Sequence, residues 1–153
     1  MVVEHSAEVK GRLPQVYSLA KTIYLCPEFM PDVKSINVIE RSLDGNRIIS
    51  EWESVVREFR TCIRWTAEDV WDDQTNTCKF SLLKSNHYTY SGYWAFDDLG
   101  DRTRFSAKIE ITCDLPKFRT QVESFVANRM RLNMDHMLAS ISARIQRSET
   151  QSV

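Results

Sequence analysis

No stretch of the 153 residues approaches the roughly 18–20 consecutive apolar residues that a membrane-spanning helix needs. The first segment, MVVEHSAEVKG, lacks the apolar centre of a signal peptide. The chain is therefore expected to stay in the cytoplasm. Excess charge of one sign is also missing: 20 basic and 21 acidic side chains leave a formal charge of −1. A nucleic-acid footprint needs a basic excess gathered on one face, and the acidic groups Glu51, Glu53, Asp69, Asp72 and Asp73 would repel a phosphate backbone. The four cysteines, Cys26, Cys62, Cys78 and Cys113, include no C-x-x-C pair. They read as buried free thiols, with no zinc or redox motif. The chain also lacks internal repeats, long linkers and low-complexity tracts, and nothing in it calls for a cofactor.

Apolar residues make up 42% and charged residues 27% of the chain, the balance of one globular domain with a real core. The domain is expected over residues 1–148, with 149–153 as a frayed tail. Residues 2–10 alternate as a first strand. Pro14 suits the first turn of a helix, and Val16, Leu19, Ala20 and Ile23 follow at helical spacing. Pro27 and Pro31 bracket a second helix of one or two turns, anchored by Phe29 and Met30. Strands follow over about Val33–Leu43, Arg47–Val56 and Thr61–Trp71, with Asp44-Gly45-Asn46 as a tight turn. Cys78, Phe80 and Leu82 mark a fifth strand and Gly92, Trp94 and Phe96 a sixth. The seventh alternates most cleanly, with Phe105, Ala107, Ile109, Ile111 and Cys113 on one face. Strand three does not alternate cleanly; a bulge there is plausible, and its register stays open. A last helix is expected from Pro116 to Arg147. Its apolar stripe begins at Phe118, Val122, Phe125 and Leu132 and continues through Met130, Met134, Met137, Leu138, Ile141 and Ile145. Strand, two small helices, meander and long helix form an α+β order: an antiparallel sheet curled around one helix.

The face that such a sheet turns to its helix carries Trp65, Trp71, Phe80, Trp94, Phe96 and Phe105. Gly92, Ala67 and Ala107 interrupt these rings. Large flat rings beside very small residues leave room, whereas a filled core prefers interdigitating branched aliphatics. Phe29 stands nearby in the short second helix. From the long helix Met130, Met134 and Met137 adapt to irregular apolar shapes. Gly92, Ala107 and these rings and methionines are the candidate ligand-binding residues. The alternative is a well-filled aromatic core.

Four fragments resemble the START-like polyketide cyclase and lipid-transport superfamily, whose helix-grip fold is shared with birch-pollen-allergen-like proteins. They are VYSLAKTIYLCPEFMPDVKSINVIER at 16–41, IRWTAEDVW at 63–71, YSGYWAFDDLGDRTRFSAKIEI at 90–111, and the terminal helix. The likeness covers nearly the whole domain and lies nearest to bacterial cyclase/dehydrase-like and coenzyme-Q-binding-like proteins. It implies a helix-grip fold and a ligand cavity between sheet and helix. In the aromatase/cyclases of this superfamily, an inward arginine on the fourth strand and an aromatic hydroxyl near the second short helix handle the polyketide. The resemblance puts those positions at Asp69 and at about Val33. A carboxylate cannot stabilise a developing oxyanion as a guanidinium does, and valine has no proton to give.

Asp69 can instead act as a general base if burial raises its pKa. Asn86-His87-Tyr88-Thr89-Tyr90 concentrates proton-handling groups, so His87 and Tyr90 are further catalytic candidates; the plainer reading is a polar turn. Glu51 and Glu53 share a face without an accompanying histidine cluster, so no metal centre is expected. Arg57, Arg60 and Arg64 read as a solvated edge. The expected function is binding or transport of a hydrophobic small molecule: a lipid, a quinone or an aromatic, polyketide-like metabolite. The alternative is a polyketide aromatase/cyclase or dehydratase working through polar pocket residues. A homodimer through a sheet edge or the terminal helix is compatible with the sequence.

Overall fold

The clean alternation of Arg102–Cys113 makes it the most regular strand of the molecule. In this computed structural model its odd-numbered residues are buried from Thr103 to Cys113 while the even-numbered ones face outward. The structure describes residues 1–57, 60–85 and 88–151, with the side chains of all of these except Phe29 and Gln151. The elements are β1 (Val2–Lys10), α1 (Leu13–Ile23), a single 3₁₀ turn (Pro27–Phe29), β2 (Val33–Arg41), β3 (Arg47–Val56), β4 (Thr61–Asp72), β5 (Thr77–Lys84), β6 (Tyr88–Asp98), β7 (Arg102–Cys113) and α2 (Arg119–Gln151). The seven strands form one antiparallel sheet in the order β1-β7-β6-β5-β4-β3-β2. The sheet curves around α2, the α+β helix-grip arrangement expected from the sequence.

The irregularity expected in strand three belongs to its neighbour. β2 carries the two register shifts, between Val33 and Ser35 and between Val38 and Glu40. β3 pairs with β4 without a break. Ile48, Ser50, Ser54 and Val56 are buried on the inward face of β3, and Trp52 is half-buried among them. The bulges sit on the exposed edge strand, where an added twist hinders pairing with another chain.

Pro116 opens a turn rather than the helix. The Phe118 amide donates to the Leu115 carbonyl at 3.1 Å, and the Phe118 carbonyl then accepts the first helical hydrogen bond, from Val122 at 2.9 Å. The buried stripe of α2 runs through Ala127, Met134, Met137, Leu138, Ile141 and Ile145. Phe118 and Leu132, read from the sequence as the start of that stripe, are 57% and 41% exposed. Both lie off the line of the 3.6-residue repeat that the core selects.

Helix α1 closes one end of the sheet. The Tyr17 ring meets Trp71 and Phe96 edge-on, each at 5.6 Å between centroids. Its hydroxyl donates to Asp73 Oδ1 at 2.7 Å. Lys21 donates to the same carboxylate oxygen at 2.9 Å and to Asn46 Oδ1 at 2.7 Å. One helix is thereby tied to the β2–β3 turn and the β4–β5 turn. Within the sheet Gly92 has a different role. A Cβ there would stand 2.3 Å from the Lys108 carbonyl oxygen and 3.0 Å from Ile109 Cα, so only glycine lets β6 and β7 approach at this point.

Candidate functional site

Between the sheet and α2 lies a cavity of about 100 Å³. α1 contributes Ile23 and, just past its end, Tyr24; Met30 follows the 3₁₀ turn. The inward faces of β3 to β7 contribute Trp52, Asp69, Phe80, Trp94 and Ile109 in strand order. From α2 come Met130, Asn133, Met134 and Met137, whose spacing of three and four puts them on one helical face. A second cavity of about 70 Å³ adjoins it, sharing Met130 and Asn133.

Of the residues singled out from the sequence, Phe80, Trp94, Met130, Met134 and Met137 come together around the larger cavity. Trp65 and Tyr90 line the smaller one, as does Val33. Trp71, Phe96, Phe105 and Ala107 are buried in the core cluster. Phe80 and Gly92 also border a shallow depression that includes Tyr93 and Lys108. His87 and the side chain of Phe29 lie outside the described residues. Glu51 is exposed, whereas Glu53 pairs with Lys34 and Arg64. Among the described residues no group of three or more His, Cys, Asp and Glu side chains could hold a metal ion. Arg57 and Arg64 pair with Asp32 and Glu53 at 3.4 and 3.5 Å, and Asp32 also meets Arg129.

Sequence reasoning passed over Tyr24, Trp52 and Asn133. Each had a signal. Tyr24 follows Ala20 and Tyr17 at helical intervals, Asn133 is a polar residue inside the methionine stripe, and Trp52 was hidden only by the open register of β3. Trp52 stacks on its cross-strand partner Trp65, with ring centroids 5.7 Å apart.

The polar groups at the two cavities and in the core beside them divide into two kinds. Some are satisfied: Trp52 Nε1 donates to Ser50 Oγ at 2.8 Å, and Ser54 Oγ donates to the Asp32 carbonyl at 2.8 Å. Others are not. Asp69 Oδ2, Tyr24 Oη and the indole nitrogens of Trp65, Trp71 and Trp94 are buried with no hydrogen-bond partner among the described residues. Such groups are uncommon in native interiors and point to a role. Asp69 is only 7% exposed. Burial raises its pKa to about 7; the nearby Tyr24 hydroxyl offsets part of that rise, and Glu68 adds to it. The two groups do not make a hydrogen bond of acceptable geometry. Burial first, and then the Asp69 charge, hold the Tyr24 phenol well above its ordinary value. Tyr90 is raised for the same two reasons. The cavity thus combines apolar walls, a protonated tyrosine and a carboxyl poised between its two states near neutral pH.

The family model described as polyketide cyclase / dehydrase and lipid transport matches residues 9–138. No curated protein matches the sequence. Among solved structures, a protein of Thermus thermophilus superposes with a TM-score of 0.78 at 24% identity, over 97% of this chain and 99% of that one. The ZhuI aromatase/cyclase of Streptomyces sp. R1128 superposes with a TM-score of 0.82 at 14% identity, over 95% of each chain. Norcoclaurine synthase of Thalictrum flavum does so with a TM-score of 0.73 at 16% identity, over 95% of this chain and 86% of that one. At these identities the likeness is one of fold. No helix among the described residues is long and apolar enough to cross a membrane.

Proposed function

The chain belongs to the polyketide cyclase/dehydrase and lipid transport family, and from that premise we propose that it binds a hydrophobic ring compound in the cavity between the sheet and α2. The observation that carries this reading is the cavity itself. Rings and methionines enclose it, and buried polar atoms without partners stand among them. Apolar walls with a few convergent polar groups are the ordinary make-up of a small-molecule site. In this reading the whole of residues 1–148 is one ligand-binding domain, working in the cytoplasm, and self-association is not required for binding. Among lipids, quinones and aromatic metabolites, the aromatic walls favour a flat ring over a long acyl chain.

Native mass spectrometry of the purified protein, followed by solvent extraction, tests for a resident ligand. Thermal-shift measurements with a panel of aryl compounds test for binding. The expected result is a co-purifying apolar molecule or a ligand-dependent rise in melting temperature. Absence of any mass increment together with no shift across the panel would overturn the proposal.

A second reading, cyclase or dehydratase chemistry, is favoured by one observation: a carboxyl at the cavity wall whose pKa of about 7 suits proton exchange near neutral pH. It does not rest on the arginine mechanism, since the resemblance puts Asp69 and about Val33 at those places. Turnover of poly-β-keto substrates by the wild type, abolished in Asp69→Asn, is the expected outcome of that reading. Unchanged substrate across the panel would leave binding as the function.

A further inference from the structure

The unpaired polar atoms at the cavity differ in what they can accept or give. Tyr24 keeps its proton and donates, and the Trp94 indole can only donate. Asp69 stands beside them without a cation among the described residues: none of those that line the cavity is Lys, Arg or His. A buried carboxyl in that setting favours its neutral form, which carries an O–H and also donates. Resting on the binding function proposed above, we propose that Tyr24 and neutral Asp69 form a two-donor subsite for a carbonyl oxygen, and that the ligand is an aryl ketone.

The alternative is a cationic ligand, paired with ionised Asp69 inside the ring of aromatic faces. It would satisfy the carboxylate and leave the Trp94 donor empty. A ketone oxygen has two lone pairs and takes both Tyr24 and Asp69. Pairing donors that are otherwise buried and unsatisfied is where selectivity is greatest, because an analogue without the oxygen leaves them empty.

The two ligand classes predict opposite responses to pH. The groups that act on Asp69 are Tyr24, just past the end of α1, and Glu68 beside it on β4. Cys78 of β5 and Tyr90 of β6 feel its charge and keep their protons. Arg41 of β2 acts on Tyr24. The described lining residues from β3, β7 and α2 carry no titratable side chain: Trp52, Ile109, Asn133 and the methionines. Asp69 thus changes charge near neutrality, while Tyr24, Tyr90 and Cys78 keep their protons there. A ketone needs its proton, so affinity falls as pH rises through about 7. An amine displaces that proton, so its affinity rises over the same range.

Isothermal titration with three single-ring probes of similar shape tests this. Acetophenone carries the carbonyl, α-methylstyrene replaces its oxygen with CH₂, and 1-phenylethylamine carries a cation. At pH 6 acetophenone is expected to bind at least about tenfold tighter than α-methylstyrene, with the advantage shrinking by pH 8.5. Asp69→Asn, whose amide donates at every pH, is expected to keep the preference and lose its pH dependence. Tyr24→Phe is expected to reduce it at both pH values. Equal affinity for acetophenone and α-methylstyrene would overturn the ketone subsite while leaving the proposed binding function intact. So would an amine preference that grows with pH. Failure of all three probes to bind would remove both.

Discussion

Asp69 shows how a residue's position can be read from sequence while its chemistry cannot. The alternation of β4 places it on the inward face with Trp65, Ala67 and Trp71, and that is where it lies. That no partner would reach it depends on α1, β5 and α2 closing over it, which no local pattern states. The consequence for stability has a definite sign. The carboxyl goes from 3.8 to about 7 on folding, so between those values the native state holds a proton that the unfolded chain has released. Stability therefore falls as pH rises across that window. At 1.36 kcal/mol per pKa unit the loss above pH 7 is on the order of 4 kcal/mol. Asp69→Asn removes the ionisable group at little change in shape. Urea unfolding is expected to find the variant close to wild type near pH 4. At pH 8 it should be more stable by on the order of 2–4 kcal/mol. Parallel pH profiles for the two proteins would show that the carboxyl is not held as described.

At the scale of elements, the strands were legible because one face of each is buried and the other wet, so alternation marks them. β7 and β4 are the clear cases. The start of α2 was less legible: Pro116 is compatible with both a first helical turn and a tight turn, and only the bond from Phe118 to Leu115 decides. The attachment of α1 was not legible at all, because Tyr17, Lys21, Asn46 and Asp73 come from separate stretches of chain. Asp73 is the hub of that attachment. Its three side-chain partners, Tyr17 first, hold its carboxyl down at about 2. Asp73→Ala removes them all; since the site is half open to water, the expected cost is modest, about 1–2 kcal/mol. The loss should appear in urea unfolding at pH 7 and shrink as pH falls towards 2, where the wild-type carboxylate is itself protonated. Gly92→Ala acts on another joint. Its methyl would meet the Lys108 carbonyl at 2.3 Å, so the β6–β7 ladder must shift, at an expected cost of about 2 kcal/mol or more. Hydrogen exchange at Tyr93 and Ile109 should quicken. Unchanged protection there would mean that the two strands are more compliant than their spacing indicates.

For the whole molecule, the question is how large a ligand the domain takes. The cavity of about 100 Å³ is below the roughly 300–1,000 Å³ of ordinary ligand pockets. It suits one ring; two fused rings need a wall to move. The sheet side is stiff, since every strand but the two edges is hydrogen-bonded on both sides. The other wall is α2, which meets the cavity through Met130, Met134 and Met137, side chains with three rotatable bonds that refill irregular space readily. Composition hinted at this division, rings on the sheet and methionines on the helix, but the volume left between them is a property of the closed structure and has no local signature. Met134 is 3% exposed, and truncating it opens the wall between α2 and the rings. Met134→Ala is expected to cost about 2–4 kcal/mol of stability, as buried large-to-small changes do. It should also reverse the size preference: wild type binds acetophenone more tightly than 2-acetonaphthone, and the variant binds the two-ring ketone more tightly. Calorimetric titration of both ligands against both proteins checks this, with unfolding curves confirming that the variant is folded. If the folded variant kept the wild-type order, α2 would not be the wall that sets ligand size, and selection would have to lie with the aromatic rings of the sheet.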